Sequence, residues 1–283
     1  MTGCTVCGLN DTSGSQHAAS IASRLARDLS SRAVLVHVRE GESRLKRLSP
    51  FTLGRSRRIR RGLRLTAGEH CFPPGTHLRV ATGHAALTLV AIAERENAEL
   101  LVVGAGGQST VSPTLLGSVS TTLMREAPCP VVVVPPATIA PLDAEGMRSV
   151  VCGVSNDEAD APIVRLAADL AARLGGRLHV VHAHEDGDVD AEARVARAVE
   201  RAGVEAGTVT AAAPPADALR EAAYQHHASL IVVGSGRGTV PPSTALGSVP
   251  TQLAAGGRTA IVALPPGAAL DEGSGHYELA AAL

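Results

Sequence analysis

Short aliphatic runs alternate along the chain with stretches in which apolar residues recur at helical spacing. Near the start, residues 4–9 and 33–38 are short, continuous apolar runs, which predict buried strands. Between them Ile21, Leu25 and Leu29 recur every fourth position, which predicts a helix with one buried face. The opening of the chain is therefore predicted to be a β-α-β unit.

The same alternation continues through the first half of the chain. It predicts three more strands and two more helices, namely strands at 78–82, 100–103 and 131–134 and helices at 87–96 and 118–126. Strands that alternate with helices indicate a parallel sheet, and continuous apolar runs indicate strands buried on both faces. We expect a five-stranded, doubly wound, Rossmann-like α/β fold, whose ligand binds at the carboxyl ends of the strands.

The chain contains an internal repeat. Ten of the twenty residues in 100–119 are identical, without a gap, to those in 230–249. Val6-Cys7-Gly8 at the opening likewise recurs as Val151-Cys152-Gly153. A repeat of this length predicts a duplicated domain.

The spacing of the repeat indicates where the two copies differ. The offset is 145 residues at the openings and 130 at the glycine-rich segments, so the first copy holds 15 extra residues between His37 and Gly104. We expect the linker at residues 137–146, where Pro135, Pro136 and Pro141 interrupt regular structure. We expect domains at residues 1–138 and 147–266, followed by a tail at 267–283.

Composition narrows the class of protein without naming a reaction. The chain is 45% apolar and has no 18-residue apolar run, and it lacks the pattern of a secretory signal at its start. These features predict no membrane span and a cytoplasmic location. Cys4 and Cys7 form a C-x-x-C, but residues three apart on a strand point to opposite faces, so we expect no thiol pair.

A glycine-rich loop follows the fourth predicted strand. Its pattern is Gly104-x2-Gly107-x9-Gly117-Ser118, which begins at a strand end and finishes at a helix start. Glycines there permit positive φ and leave room for an anion beside backbone N–H groups, and the helix dipole adds positive potential. The loop is predicted to hold phosphates, although a tight strand-to-helix connection alone would also explain three glycines.

Two common phosphate motifs are excluded. No G-x-x-x-x-G-K-[ST] occurs, and a dinucleotide-binding loop would follow the first strand rather than the fourth. No hydrolytic nucleophile motif and no zinc-ligand spacing is present. We therefore predict no catalytic residue from the sequence.

The chain resembles the universal stress protein family in its tandem two-domain form. The resemblance rests on the glycine motif, the Cys129-Pro130-Val-Val-Val-Val-Pro135 strand and the Leu35-Val36-His37-Val38 strand. It implies ATP as ligand and a regulatory role without an assigned reaction. It also implies that Val38 contacts the adenine. The residues that it implies as phosphate contacts are Gly104, Gly107, Gly117, Ser118, Val119 and Ser120.

The resemblance is weaker at the end of the first strand. The family pattern places an aspartate there, near the ribose and the metal, whereas this chain has Asn10 followed by Asp11. Asn10 can hydrogen-bond a ribose hydroxyl but brings no charge to a magnesium ion, and Asp11 can substitute by a shift of one residue. A requirement for Mg²⁺ is left open.

The second copy departs further from the motif. Ser155 stands at the acidic position, Arg237 replaces the second glycine and Pro250 replaces Ser120. The matching residues of this possible second site are Ser155, Gly234, Arg237, Gly247 and Ser248. We expect a site that is degenerate, weak or empty, with the second copy acting as a packing partner, although Arg237 could also clamp a phosphate.

The first copy carries a strongly basic segment. Residues 43–65 contain nine basic side chains and no acidic one, in a chain whose net charge is −1. The segment is either a solvated helix face or loop, a contact surface for a polyanion, or a cover for the nucleotide. With only Phe51 and Phe72 nearby, no base-stacking platform exists, which argues against nucleic acid.

These observations leave three functional interpretations. The favoured one is an ATP-binding stress regulator that acts on an unknown protein partner, assembled as a homo-oligomer or as an internal pseudo-dimer. The second is a slow ATP-hydrolysing or adenylyl-transferring enzyme, for which the loop offers neither a general base nor a lysine. The third is a nucleotide-free interaction module that uses the basic segment.

Overall fold

The structure is a computed structural model of the chain. It describes residues 3–10, 13–40, 50–106, 116–138, 149–155, 160–235, 248–266 and 268. Asp11, Gly107, Arg237 and Gly247 lie outside the described residues.

Ten strands and eight helices occupy the described part of the chain. The strands are β1 (Cys4–Leu9), β2 (Arg32–Arg39), β3 (His77–Thr82), β4 (Leu100–Gly104), β5 (Val131–Val134), β6 (Ser149–Val154), β7 (Leu178–His184), β8 (Gly207–Ala212), β9 (Ala228–Gly234) and β10 (Ala260–Leu264). The helices are α1 (Ser13–Asp28), α2 (Pro50–Glu69), α3 (Ala85–Glu96), α4 (Ser118–Glu126), α5 (Asp160–Arg173), α6 (Ala191–Ala202), α7 (Pro215–Gln225) and α8 (Ser248–Gly256).

The strands form one ten-stranded sheet in the order β3-β2-β1-β4-β5-β10-β9-β6-β7-β8. Strands β1–β5 make a five-stranded parallel half, the first domain, and β6–β10 make a second half of the same order, the second domain. The halves meet where β10 pairs antiparallel with β5, with Ile261 opposite Val133. The expectation of two tandem, doubly wound α/β domains is confirmed.

Helices cover both faces of the sheet, as the continuous apolar runs predict. One buried core lies under α1, α2, α5 and α6, and the other lies under α3, α4, α7 and α8. Each core contains residues of both domains: Leu25 and Leu170 share the first, and Leu123 and Leu253 share the second. The domains therefore bury apolar surface against each other as well as within themselves.

Every strand and helix predicted in the first half is present, with bounds that agree to within two residues. The extra residues of the first copy lie in and around α2, which has 20 residues against 12 in its counterpart α6. Leu63 of α2 is buried and packs into the core, whereas Arg57, Arg61 and Arg64 face outward. The described part of the basic segment is therefore a solvated helix face.

The two cysteines of the C-x-x-C are separated by the sheet. Cys7 lies in the core under α1 and α2, and Cys4 lies in the core on the opposite face. Burial raises the pKa of the Cys4 thiol to about 11 and raises that of Cys7 as well. The expectation that these thiols diverge is confirmed, and both are held as neutral, apolar groups.

An arginine side chain of the second domain binds to the first domain. Arg173, the last residue of α5, donates to Glu99 Oε2 at 3.1 Å and to the Leu29 carbonyl oxygen at 2.9 Å. Glu99 directly precedes β4, so this contact joins the end of α5 to the base of the first domain. None of the helices in the described ranges is long and apolar enough to cross a membrane.

Replacing Arg173 with alanine should loosen the junction between the domains. The half-buried Glu99 carboxylate and the Leu29 carbonyl lose a charged donor, so we expect the free energy of unfolding to fall by about 1–2 kcal/mol. Urea denaturation followed by circular dichroism measures the change. Arg197→Ala removes an exposed arginine of α6 and is the control; equal effects of the two substitutions would contradict the assignment.

Candidate functional site

The candidate site lies at the carboxyl ends of β1 and β4 in the first domain. These strands are neighbours in the sheet, and the chain leaves them in opposite directions: β2 and β3 lie beyond β1, and β5 lies beyond β4. A crevice opens at such a switch point because the connections depart to both sides. Helices α1 and α4 follow β1 and β4, and each begins at this edge of the sheet.

Gly104, at the end of β4, brings the start of α1 close to the end of that strand. A Cβ atom at Gly104 would lie 3.0 Å from the carbonyl oxygen of Gly14 in the first turn of α1. Only glycine fits there without a shift of backbone. The residue is thus required by a close approach of two backbones, and it places the N-terminus of α1 beside the start of the glycine loop.

Neither Gly104 nor Gly117 has a positive φ. Gly117 is the N-cap of α4 at φ −65° and ψ 150°, and its N–H donates to the carbonyl oxygen of Ala105 at 2.8 Å. Gly104 is likewise absent from the left-handed glycines of the described residues. The expectation of positive φ is therefore wrong for these two, because close packing, rather than backbone handedness, excludes a side chain at Gly104.

The first turn of α4 offers the donors that the sequence predicted. Its first internal bond runs from the Thr121 N–H to the Gly117 carbonyl, so the amides of Ser118, Val119 and Ser120 precede the intrahelical ladder. Ser118 is exposed, and no acidic residue lies in this turn. The helix end therefore presents N–H groups and positive potential without a competing carboxylate.

Ser120 is placed differently from the sequence expectation. The residue is 2% exposed, and its hydroxyl donates to the Gly104 carbonyl oxygen at 2.8 Å. The bond ties α4 to the end of β4, so the hydroxyl is used inside the protein rather than at its surface. Ser120 positions the loop ends, whereas Ser118 is the hydroxyl that faces outward.

Asn10, at the end of β1, is bound to the first turn of α1. Its N–H donates to Ser15 Oγ at 2.8 Å, and the Ser15 hydroxyl donates back to Asn10 Oδ1 at 2.6 Å. Ser15 is buried and was not among the predicted site residues. Its reciprocal bonds hold the amide side chain in one orientation beside the crevice.

The second domain repeats this pairing with a carboxylate. Ser155 donates from its N–H to Asp160 Oδ2 at 3.0 Å and from its hydroxyl to Asp160 Oδ1 at 3.2 Å. Asp160 is only 3% exposed and stands at the repeat position of Ser15. Sequence reasoning missed both Ser15 and Asp160, although the 145-residue offset relates them as it relates Asn10 to Ser155.

Val38 lies on the opposite side of β1 from the glycine loop. It is half-buried near the end of β2, aligned with Ala81 of β3. Val38 and Val119 pack against the same core, under α3 and α4. The structure thus brings the predicted adenine-facing residue and the predicted phosphate-facing turn onto one side of the sheet.

The remaining predicted positions of the second domain are only partly described. Gly234 ends β9 opposite Leu264, and Ser248 begins α8. Pro250, the counterpart of Ser120, is buried and has no hydroxyl with which to bind the Gly234 carbonyl. The bond between helix and strand that closes the first site has no equivalent at this position.

No metal centre is evident in the part of the chain that the structure describes. Within it, no group of three or more His, Cys, Asp or Glu side chains is arranged to hold an ion. Asn10 offers a neutral amide oxygen, whereas a Mg²⁺ ion binds more strongly to a carboxylate.

The comparison with protein families agrees with the geometry. The model of the Universal stress protein family matches residues 5–135, which span the first domain from β1 to β5. Residues 5–135 therefore match the universal stress protein family, as the motifs of the first domain predict. The second domain shares the strand order and half of the glycine-loop residues.

Curated relatives support the same assignment over part of their length. Universal stress protein Rv2623 of Mycobacterium tuberculosis is 35% identical over 118 residues, which are 41% of this chain and 38% of the relative. Universal stress protein Mb2028c of Mycobacterium bovis is 35% identical over 92 residues, 32% of this chain and 31% of the relative. The matched regions thus span well under half of the relatives' length.

Solved structures extend the fold similarity to both domains. A universal stress protein from Archaeoglobus fulgidus superposes with a TM-score of 0.70 at 16% identity, covering 93% of this chain and 98% of that one. A functionally unknown protein from Pseudomonas aeruginosa PAO1 gives a TM-score of 0.60 at 19% identity, covering 94% and 93%. At these identities the similarity establishes the fold.

Substitutions of the two serines of α4 should differ in their effect on stability, because one hydroxyl is buried and the other is exposed. Ser120→Ala leaves the Gly104 carbonyl without its buried donor, so we expect the free energy of unfolding to fall by about 1–3 kcal/mol. Ser118→Ala removes an exposed hydroxyl and should change it by less than about 0.5 kcal/mol. Urea denaturation of both variants measures the two changes. If Ser118→Ala lowered the free energy of unfolding more than Ser120→Ala does, the assignment of Ser120 to the interior and of Ser118 to the surface would be wrong.

Proposed function

We propose that the protein is an ATP-binding regulator of the stress response whose nucleotide is held mainly by the first domain. One observation carries the proposal: the N-termini of α1 and α4 converge on the ends of β1 and β4, where Gly104 leaves no room for a side chain. Two helix ends at one crevice favour a polyanion. The match of this domain to the family supports a nucleotide as that anion.

Each part of ATP has residues suited to it. The amides of Ser118 and Val119, the Ser118 hydroxyl and the Gly107 backbone would hold the phosphates. Gly117 would leave space beside them, and Gly104 would let the start of α1 approach the site. Asn10, oriented by Ser15, or Asp11 would bind the ribose, and Val38 would contact the adenine. ATP would supply the triphosphate whose presence a partner protein senses.

Backbone and hydroxyl donors are sufficient for useful affinity. A hydrogen bond to a charged group contributes about 1.5–3 kcal/mol, so four or five of them reach roughly the 8 kcal/mol of a micromolar complex. No lysine is needed for this. The dependence on Mg²⁺ should be modest, because Asn10 brings no charge to the metal.

The regulatory role is preferred to ATP hydrolysis. An ATPase needs a group that activates water or neutralises the transferred phosphoryl group. None of the proposed phosphate contacts, from Gly104 to Ser120, is a lysine, arginine, histidine or carboxylate. Slow hydrolysis is therefore the alternative outcome of a turnover assay.

The proposal includes an organisation for the chain. Domain bounds of 1–138 and 147–266, a tail at 267–283 and a cytoplasmic location remain part of it. The pairing of β5 with β10 supports an internal pseudo-dimer, and it occupies the strand edge that a second copy would otherwise use. A further homo-oligomer would have to form through another surface.

Exchanging one residue between the copies tests which domain binds. Gly107→Arg gives the first loop the residue of the second, and Arg237→Gly does the reverse. We expect one ATP per chain in native mass spectrometry of the unsubstituted protein, about tenfold weaker binding after Gly107→Arg, and unchanged binding at the first site after Arg237→Gly.

Three outcomes would contradict this assignment. Failure of the unsubstituted protein to bind ATP removes the proposed function. Two equivalents bound with equal affinity would remove the emphasis on the first domain. Turnover at a rate typical of enzymes would replace regulation with catalysis.

A second function is favoured by the outer face of α2. Arg57, Arg58, Arg60, Arg61 and Arg64 are exposed, and none makes an ion pair with a residue that the structure describes. Residues three and four apart are neighbours on a helix, so these side chains form one positive surface. This surface suits an acidic region of a partner protein.

Neutralising the arginine face should weaken binding to polyanions. A triple variant, Arg57→Gln, Arg61→Gln and Arg64→Gln, should elute from a heparin column at clearly lower salt than the unsubstituted protein. The control removes three arginines of the second domain with the same change in net charge: Arg177→Gln, Arg197→Gln and Arg201→Gln. Equal shifts would show that net charge alone is responsible.

A further inference from the structure

An open cavity of about 360 Å³ lies between the two domains. Helix α1 of the first domain forms one wall, and α7, α8 and the start of β9 form the others. Its volume is within the range of small-molecule sites, which occur preferentially at domain interfaces. Nothing in the proposed nucleotide function uses it.

The inner wall of the cavity is aliphatic. Leu25 of α1, Leu230 of β9 and Leu253 of α8 all line it and are less than 5% exposed. Tyr224 also lines the cavity; it is 77% exposed and stands at the outer edge. This wall suits a flexible apolar body such as an alkyl chain.

Among the residues that the structure describes, three arginines and one carboxylate, Asp28, line the cavity. Arg24 pairs with Asp28 at 3.3 Å, and Arg220 pairs with Asp217 at 2.8 Å. Arg258 is exposed and forms no ion pair with any described residue. Cationic groups therefore outnumber anionic ones at the lining.

Two donors at the cavity lack an acceptor. Thr138 is 8% exposed, and its Oγ1 has no hydrogen-bond partner among the described residues. Nε of Arg220 is also buried and has no partner there. A buried donor without an acceptor costs free energy, which an anionic oxygen at this place would recover.

The cavity is separate from the nucleotide crevice. Its lining contains none of Asn10, Val38, Gly104 or the first turn of α4. Helix α1 connects the two, because Ser15 near its start binds Asn10 and Arg24 near its end borders the cavity. At 1.5 Å per residue these positions lie about 14 Å apart along the helix.

We propose that this interdomain cavity binds a small organic anion with an apolar body, such as a medium-chain carboxylate. The aliphatic wall takes the apolar body, and Thr138, Arg220 and Arg258 receive the carboxylate. Bound there, the ligand contacts both domains at once and stabilises their docking.

The absence of tryptophan from the chain allows a direct test. Tyr224→Trp places a single reporter at the cavity, and Val189→Trp places one at a residue that is 93% exposed and outside the lining. The probe is 8-anilinonaphthalene-1-sulfonate, whose excitation overlaps tryptophan emission. We expect saturable quenching that is clearly stronger in Tyr224→Trp than in Val189→Trp, reversed by decanoate but not by the same concentration of decan-1-ol.

A charge variant completes the test. In the Tyr224→Trp protein, Arg220→Gln with Arg258→Gln should weaken displacement by decanoate about tenfold, with an unchanged far-ultraviolet spectrum. Equal quenching of both reporters, equal displacement by the acid and the alcohol, or no effect of the arginines would overturn the proposal. Displacement of the probe by ATP would assign the cavity to the nucleotide instead.

Discussion

The antiparallel pairing of β5 with β10 is the contact on which the rest of the molecule depends. Each strand is short, four and five residues, and apart from the end of β10 both are fully buried. Unpaired, each would be an exposed edge with free backbone groups and aliphatic side chains. Paired, they join two parallel half-sheets into one, and they bring helices of different domains together over two shared cores. The Arg173 contact and the interdomain cavity both follow from this arrangement.

Within that frame, the candidate crevice of the first domain is defined by close packing at the ends of two strands. Gly104 admits the first turn of α1, and the Ser120 hydroxyl secures α4 to the same strand end, so both helix N-termini are directed to one place. The second domain keeps the strand order but has Pro250 where the first has Ser120. Duplication has thus preserved the scaffold in both halves, while the bond from Ser120 to the Gly104 carbonyl is present in one half alone. A chain in which the second copy mainly supports the first is consistent with this asymmetry.

Sequence periodicity predicted most of the first-domain elements because those strands are buried on both faces. Runs such as Leu100–Val103 and Val131–Val134 have no polar alternation, and their lengths exclude helices. The sequence did not predict the structure of the basic segment, because few of its residues are apolar. Arg57, Arg61 and Arg64 lie on a helix whose buried side is only a narrow stripe around Leu63, and charge conceals that stripe. Ser15 and Asp160 were missed because a small polar residue in a first helical turn looks like an ordinary cap until its partner is known.

The sequence alone determined the α/β class, the duplication, the resemblance of the first domain to its family and the position of the glycine-rich loop. Each of these depends on local pattern or on residue identity. The geometry at the two ends of the loop was decided by tertiary structure. Gly104 is a glycine because α1 passes within contact of β4, and Ser120 points inward because β4 ends beneath it. Both facts rest on contacts between segments distant in the chain, as do the shared cores and the cavity at the domain junction. Local pattern cannot encode which surfaces meet, because that depends on the packing of the entire fold.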